Sequence, residues 1–215
     1  MLTPHGTLQG RKRQPDFLLA HKVSAISTLK EGTVWRELLQ LLIDSLGAVL
    51  GGAMLLRFWL GYVRVRPPVS VANLIFLLSN WLVMPLRRLL PGRGQDWASL
   101  LGAVIVSTLV GALKAFLFWG GFPAKPLVAL SLLALLNWLV YGIMGLFVLE
   151  VLFSWINPHA TLAPAIRAVN APFLRPFRRW IPPIAGIDFS VMAGFFVLNL
   201  IARFLPQLIL SSLGG

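Results

Sequence analysis

The chain has 215 residues, of which 57% are hydrophobic and 12% are charged, whereas soluble domains carry about 25% charged residues, so the composition indicates a membrane protein. The net charge is +12, and the basic residues lie between apolar segments, so we expect anionic lipid headgroups rather than nucleic acid as their partner. The absence of cysteine excludes disulfides, thiolate metal sites and a cysteine nucleophile.

The first predicted segment, residues 1–34, is a polar and basic N-terminal tail. Its apolar cluster, residues 17–20, is too short for the core of a signal peptide. Because a polar segment buries too little apolar surface to offset the entropy of folding, we expect most of this tail to be disordered.

Four long apolar segments follow the tail, at about residues 38–60, 97–119, 126–153 and 189–210. Each contains the roughly 20 residues that are needed to cross a hydrocarbon core about 30 Å thick. Backbone N–H and C=O groups in lipid must be satisfied within the segment, so the sequence predicts an all-α membrane protein with four transmembrane helices.

Two shorter apolar stretches, residues 71–90 and 161–181, lie between these spans. Helical spacing places polar side chains on one side of each stretch, namely Asn73, Asn80 and Arg87 in the first and Arg167, Asn170 and Arg178 in the second. Proline lacks the N–H donor and clashes with the preceding turn, so Pro85 and Pro176 are predicted to interrupt these helices. We expect interfacial amphipathic helices at the headgroup boundary, with a re-entrant segment as the alternative for residues 71–84.

Residues 84–98 and 175–190 match each other, which predicts an internal repeat. The matched pairs are Pro85 with Pro176, Arg87 with Arg178, Arg88 with Arg179, Pro91 with Pro182 and, after one inserted residue, Gly94-Gln-Asp96 with Gly186-Ile-Asp188. The sequence therefore predicts two repeats, residues 35–121 and 122–215, each with two spans and one interfacial helix. Because each repeat crosses the membrane twice, the two repeats are expected to be parallel, related by an axis along the membrane normal.

The distribution of Lys and Arg predicts the orientation of the chain. Six lie from Arg57 to Arg93 and four from Arg167 to Arg179, against Lys114 and Lys125 on the other side. Both arginine-rich loops are therefore predicted to be cytoplasmic. The basic residues of the tail favour the opposite orientation, so the side on which the tail lies stays open.

The doubled Pro-x-Arg-Arg-x-x-Pro…Gly-x-Asp pattern resembles the YggT family of small bacterial membrane proteins and its YlmG-like relatives in Gram-positive bacteria and chloroplasts. Arg57-Phe-Trp59 and Ser154-Trp155, at the ends of the first and third spans, belong to the same pattern. The resemblance covers about residues 35–212. It implies a multi-pass protein of the bacterial cytoplasmic (inner) membrane, with roles in osmotic or potassium homeostasis, or in membrane assembly, nucleoid or division-linked processes.

The doubled arginines Arg87, Arg88, Arg178 and Arg179 are candidates for contact with lipid or a partner. One interpretation is that they only anchor the loops on the cytoplasmic side, as basic flanks generally do. The other is that they recognise phosphate in anionic lipid or in a partner, and the two interpretations are compatible.

Two aspartates, Asp96 and Asp188, precede the second and fourth spans. We interpret them as N-caps, whose carboxylates accept hydrogen bonds from free N–H groups of the first turn and favour the helix dipole. In addition, each aspartate is a candidate partner for an arginine of its own repeat or of the other repeat.

Five charged residues are predicted to lie within the spans, near their ends: Asp44, Arg57, Lys114, Glu150 and Arg203. Charges in lipid are costly and usually find partners. Their expected depths suggest pairing of Arg57 with Glu150, and of Asp44 with Lys114 or Arg203. We interpret them as structural pairs, with an ion path or snorkelling side chains as the alternatives.

The sequence contains no HExxH, GxSxG, P-loop or paired-carboxylate motif, so we predict no enzymatic activity, no cofactor and no metal. The first hypothesis is a protein that organises or assists membrane complexes and binds anionic lipid. The alternative is a small transporter, channel or channel accessory in ion or osmotic homeostasis. The expected partners are the lipid bilayer with its anionic headgroups and a second copy of the chain or an unidentified membrane complex, with no nucleic acid.

Overall fold

The computed structural model describes residues 14–90, 95–157, 159–181 and 188–214. Within these ranges all regular secondary structure is helical, which confirms the predicted all-α class. The six helices are α1 (Gln14–Val63), α2 (Val69–Leu89), α3 (Trp97–Trp119), α4 (Ala124–Ile156), α5 (Ala163–Trp180) and α6 (Phe189–Gly214).

The chain divides into two compact units, residues 1–42 and residues 43–215. The first unit contains the beginning of α1, and the second contains the rest of α1 and the other five helices. The structure differs here from the prediction of a mostly disordered tail, because α1 begins at Gln14. The remainder of the tail, residues 1–13, lies outside the described residues.

Five helical segments are long and apolar enough to cross a membrane, judged by length and composition. Four of them, in α1, α3, α4 and α6, correspond to the predicted spans. The fifth is α2, which has 21 residues and was expected to be interfacial or re-entrant. Residues 71–78 of α2 contain one polar side chain, Asn73, so this helix is more apolar than its counterpart α5.

Proline does not end α2 or α5, contrary to the prediction. Helix α2 continues through Pro85 to Leu89, and α5 continues through Pro176 to Trp180. Each proline lies in the last two turns of its helix, so the missing N–H removes one backbone hydrogen bond close to an end that frays in any case. Burial of Leu86 directly after Pro85 holds the last turn of α2 in place.

The helices of each half pack in the same way around a small apolar core. Helix α2 contacts α3, α5 contacts α4 and α6, and α3 joins the halves by contacting α4. In the first half Met54 is buried beside Val83 of α2, and in the second half Phe147 is buried beside Leu174 of α5. These apolar contacts fix the positions of the polar residues on the same helices.

Close approach at glycine makes this packing possible. A Cβ at Gly102 would lie 2.9 Å from the Met54 sulfur, and a Cβ at Gly194 would lie 2.8 Å from the Phe147 ring. Met54 and Phe147 therefore occupy equivalent places in the two halves. On α1, Gly47 and Gly51 pack against Trp138 of α4 in the same way.

Candidate functional site

A buried arginine lies at the centre of a polar cluster in the first half. The Arg57 side chain on α1 is 6% exposed, and its Nε donates to Oδ2 of Asp96 at 3.0 Å. Its Nη1 donates to Oγ of Ser79 at 2.7 Å and to Oδ1 of Asn80 at 2.8 Å, both on α2. A buried charge is tolerated only when it is paired and hydrogen-bonded, and these contacts provide both.

The Asp96 carboxylate connects this arginine to a second one. Arg87, near the end of α2, donates from Nε to Oδ1 at 3.2 Å and from Nη2 to Oδ2 at 2.7 Å. Ser99 donates its hydroxyl to Oδ2 at 2.7 Å. We call Arg57, Ser79, Asn80, Arg87, Asp96 and Ser99 together the Arg57 cluster.

Asp96 occupies the N-cap position of α3, but its carboxylate makes no cap hydrogen bond to a backbone N–H. The arginines and Ser99 use its oxygens instead. Burial raises the pKa of Asp96, but hydrogen bonds from Arg87 and Ser99 and the positive charges of Arg87 and Arg57 outweigh burial, so the pKa is lowered overall. The carboxylate is therefore ionised at neutral pH.

A buried glutamate lies at the centre of a second polar cluster, in the other half. The Glu150 side chain on α4 is 7% exposed, and its Oε1 accepts a hydrogen bond from Nη2 of Arg178 at 2.9 Å. Its Oε2 accepts from Nδ2 of Asn170 at 2.8 Å. The amide of Asn170 also donates to the Leu146 carbonyl at 2.9 Å, which ties α5 to α4.

Arg178 in turn connects Glu150 to Asp188, with Nε of Arg178 2.9 Å from Oδ2 of Asp188. Asp188 also caps α6, because its Oδ1 accepts from the backbone N–H of Ser190 at 3.0 Å and from the Ser190 hydroxyl. Burial raises the pKa of Asp188, but the bonds from Ser190 and Arg178 and the charge of Arg178 outweigh it, so the pKa is lowered overall. We call Glu150, Asn170, Arg178, Asp188 and Ser190 the Glu150 cluster.

The two clusters occupy matched positions but carry opposite charge. Arg57 lies three residues after Met54, and Glu150 lies three residues after Phe147, in equivalent places of the fold. The Arg57 cluster has two guanidinium groups and one carboxylate, a formal charge of +2 − 1 = +1. The Glu150 cluster has one guanidinium group and two carboxylates, a formal charge of +1 − 2 = −1.

This arrangement corrects the predicted pairing of Arg57 with Glu150. Each of the two residues forms its ion pair within its own half, Arg57 with Asp96 and Glu150 with Arg178. Depth in the membrane suggested the pairing, but the two residues occupy equivalent sites in different halves. The countercharge of each therefore comes from its own half, from Asp96 before α3 and from Arg178 in the last turn of α5.

The remaining intramembrane charges lie away from both clusters. Asp44 on α1 pairs with Lys114 on α3, with Nζ 2.5 Å from Oδ1, so of the two predicted alternatives the structure has Lys114. Arg203 is exposed on α6, and the structure assigns it no ion pair with any described residue. Among the described residues, no group of three or more His, Asp or Glu side chains is placed to hold a metal ion.

The doubled arginines are divided between two environments. All four are exposed, but Arg87 and Arg178 form ion pairs with aspartates, whereas Arg88 and Arg179 form none with a described residue. The doubled pattern gives no indication of this difference. In both halves the bound arginine is the first of the two, with Arg87 nine residues before Asp96 and Arg178 ten residues before Asp188.

A cavity of about 670 Å³ opens beside the Arg57 cluster. Its charged lining consists of Arg57, Arg64, Arg66, Arg87 and Asp96. A cavity of about 460 Å³ beside the Glu150 cluster is lined by the charged residues Glu150, Arg167, Arg178 and Asp188. From the sequence, Arg64 and Arg66 are recognisable only as part of the loop charge, because nothing in their spacing places them near Arg57.

The long apolar helices, with buried charged clusters near their ends, define a multi-pass helical membrane protein. The chain belongs to the CCB3/YggT family, whose sequence profile matches residues 37–117 and again residues 129–209. The resemblance that the doubled motif suggested is thereby confirmed.

Several curated bacterial proteins are similar to the chain over most of their length. An uncharacterized protein of Haemophilus influenzae is 28% identical over 164 residues, which are 75% of this chain and 86% of that protein. The uncharacterized protein PA0392 of Pseudomonas aeruginosa is 30% identical over 175 residues, 74% of this chain and 84% of that protein. The uncharacterized protein YggT of Escherichia coli K12 is 28% identical over 151 residues, 69% and 78% of the two chains. No solved structure is significantly similar to the chain.

Proposed function

We propose that this protein is a non-enzymatic component of the bacterial inner membrane that binds anionic lipid at its arginine-rich end and organises or assists membrane complexes. The observation that carries this proposal is the division of each arginine pair. Aspartates hold Arg87 and Arg178 in place, and Arg88 and Arg179 are exposed beside them. An exposed guanidinium on a fixed scaffold suits a lipid phosphate, because its planar donors match phosphate oxygens.

The proposed architecture has four spans arranged as two parallel repeats, with α2 and α5 as interfacial helices on the cytoplasmic side. The double family match and the matched clusters support the repeat. The two exposed arginines then lie on the same side of the membrane. That side is cytoplasmic by the excess of Lys and Arg in its loops.

The geometry of α2 supports an interfacial placement. With 21 residues, α2 is about 31 Å long. Helix α1 ends at Val63, six residues or about 9 Å beyond Arg57, and α2 begins shortly afterwards at Val69. Helix α2 ends at Leu89. Arg87 in its last turn contacts Asp96, and Asp96 contacts Arg57. Along the axis of α1, the two ends of α2 are therefore separated by much less than the length of α2. Helix α2 thus lies across α1.

The test is the lipid that stays with the purified protein. We expect the wild-type chain, extracted in a mild detergent, to retain phosphatidylglycerol in preference to phosphatidylcholine, as measured by lipid mass spectrometry. The double variant Arg88→Ala, Arg179→Ala should lose most of this preference and remain folded, because neither side chain is buried. Equal retention of both lipids by the wild-type chain would refute lipid recognition.

The assembly part of the proposal needs a separate measurement. Crosslinking in native membranes, followed by identification of the captured proteins, should give the same membrane complex in independent preparations. Recovery of crosslinked copies of this chain alone would contradict a role in organising other complexes.

A further inference from the structure

We infer that the cavity beside Arg57 is a binding site for one phosphate group, and that the matched cavity beside Glu150 is not. This inference rests on the proposed affinity for anionic lipid and deepens it. It assigns a saturable site to one half of the molecule, in addition to the general attraction that the exposed arginines exert.

The charge around the cavity is the first argument. Among the described residues, four arginine side chains and one carboxylate, that of Asp96, line the Arg57 cavity, so their formal charge is +4 − 1 = +3. The charged lining of the Glu150 cavity is two arginines and two carboxylates, +2 − 2 = 0. An anion therefore gains a strong attraction in the first cavity and none in the second.

The hydrogen-bonding state of Arg57 is the second argument. Its Nε and Nη1 are used by Asp96, Ser79 and Asn80, whereas no described residue accepts a hydrogen bond from Nη2. The guanidinium lies over the Phe76 ring, with the central carbon 4.8 Å from the ring centroid. The hydrogen bonds from Nε and Nη1 thus hold the guanidinium in place, and Nη2 is available to an acceptor in the cavity.

The backbone at Arg64 is the third argument. Arg64 follows the last residue of α1 and has a left-handed backbone with φ 58, in a turn closed by Arg64 N to Gly61 O at 3.3 Å and Val65 N to Leu60 O at 3.0 Å. Glycine is the usual residue at this position, because a Cβ is unfavourable there. An arginine in a strained conformation that lines a cavity indicates that its side chain has a function.

The chemistry of the lining identifies the ligand as a phosphate ester or free phosphate. Several guanidinium groups around one space can each offer paired N–H donors to a tetrahedral anion. A volume of about 670 Å³ lies within the roughly 300–1,000 Å³ of small-molecule sites. A lipid headgroup and a free phosphate share this chemistry, so the experiment must separate the two sources.

The decisive variant is Arg64→Gly. Glycine favours the left-handed turn, so this change removes one cavity cation without disturbing the fold, and the thermal unfolding temperature should stay equal or rise. The matched control is Arg175→Ala, which removes the same charge from an exposed residue on α5 that does not line the cavity. Both variants are made in the full chain, purified in a nonionic detergent.

Two probes distinguish the sources of phosphate. Inorganic phosphate is titrated by calorimetry, and one-to-one complexes with phosphatidylglycerol are counted by native mass spectrometry. We expect saturable binding of at least one probe, weakened about tenfold or more by Arg64→Gly and unchanged by Arg175→Ala. Binding of phosphate alone identifies a soluble ligand, and binding of only the lipid identifies a headgroup; either result supports the site.

The inference is overturned if neither probe binds the wild-type chain with saturation, or if Arg64→Gly and Arg175→Ala have the same effect. These outcomes differ from failure of the proposed function. The double variant Arg88→Ala, Arg179→Ala could lose the general preference for phosphatidylglycerol while the wild-type chain shows no saturable site. That result would support the proposed function and refute the phosphate site.

Discussion

At the scale of single residues, the molecule is built around two buried charges of opposite sign. Arg57 depends on one carboxylate, Asp96, which it shares with Arg87. Glu150 depends on Arg178 and also accepts from Asn170. Removing the shared partner of a buried charge leaves that charge uncompensated, which is costlier than removing a more exposed partner.

Asp96→Asn should therefore destabilise the protein strongly. It leaves Arg57, whose side chain is 6% exposed, without a countercharge, and the expected loss is about 3–5 kcal/mol. The measurement is the thermal unfolding of purified protein in detergent, followed by tryptophan fluorescence.

The matched control is Asp188→Asn. The Asp188 side chain is 33% exposed, Arg178 keeps Glu150 as a partner, and asparagine remains a good N-cap, so the expected loss is about 1 kcal/mol or less. Equal unfolding temperatures for the two variants would show that Arg57 does not depend on Asp96.

At the scale of helices, small residues determine how closely α3 and α4 approach. A Cβ at Gly111 on α3 would lie 2.7 Å from the backbone nitrogen of Ser131 on α4. A backbone atom cannot move aside as a flexible side chain can, so the two helices would have to separate. Membrane helices associate through such close packing, because lipid provides no hydrophobic force between them.

Gly111→Ala should consequently weaken the contact between α3 and α4, with an expected loss of about 1–3 kcal/mol from overpacking. Gly142→Ala is the control, because a Cβ at Gly142 meets nothing within 4 Å. In a helix interior, alanine is favoured over glycine by up to about 1 kcal/mol, so the control should be neutral or stabilising. Unfolding temperatures that fall equally for both variants would exclude close packing as the cause.

Sequence periodicity and segment length predicted where the helices lie but not where each helix ends. The predicted span of residues 97–119 agrees with α3, and the predicted span of residues 189–210 lies within α6. The predicted stop at Pro85 was wrong because proline costs one hydrogen bond, while Leu86 is buried against the core directly after it. Local propensity does not include that tertiary burial.

At the scale of the whole molecule, the matched clusters and the proposed parallel repeats imply that both arginine-rich loops lie on one side of the membrane. The chain contains no cysteine, so a single introduced thiol reports its own side without further changes. Three positions distinguish the proposed topology from one in which α2 crosses the membrane: the exposed Ser70 and Arg88 and the half-buried Gly121.

We expect Ser70→Cys and Arg88→Cys to be protected from a membrane-impermeant thiol reagent in intact spheroplasts, and Gly121→Cys to be labelled. After permeabilisation all three should react, which serves as the control for accessibility. If α2 crossed the membrane, the thiols at positions 70 and 88 would react on opposite sides.

The sequence by itself determined the membrane class, the helical spans, the family and the doubled motif, because these depend on composition, length and short-range spacing. The tertiary structure decided which charges meet. Arg57 and Asp96 are 39 residues apart, and Glu150 and Arg178 are 28 apart, so no local pattern relates them. Only the packing of α2 across α1 and α3, and of α5 across α4 and α6, brings these side chains within hydrogen-bonding distance. The two clusters have formal charges of opposite sign because the residue at one equivalent position is arginine in the first half and glutamate in the second.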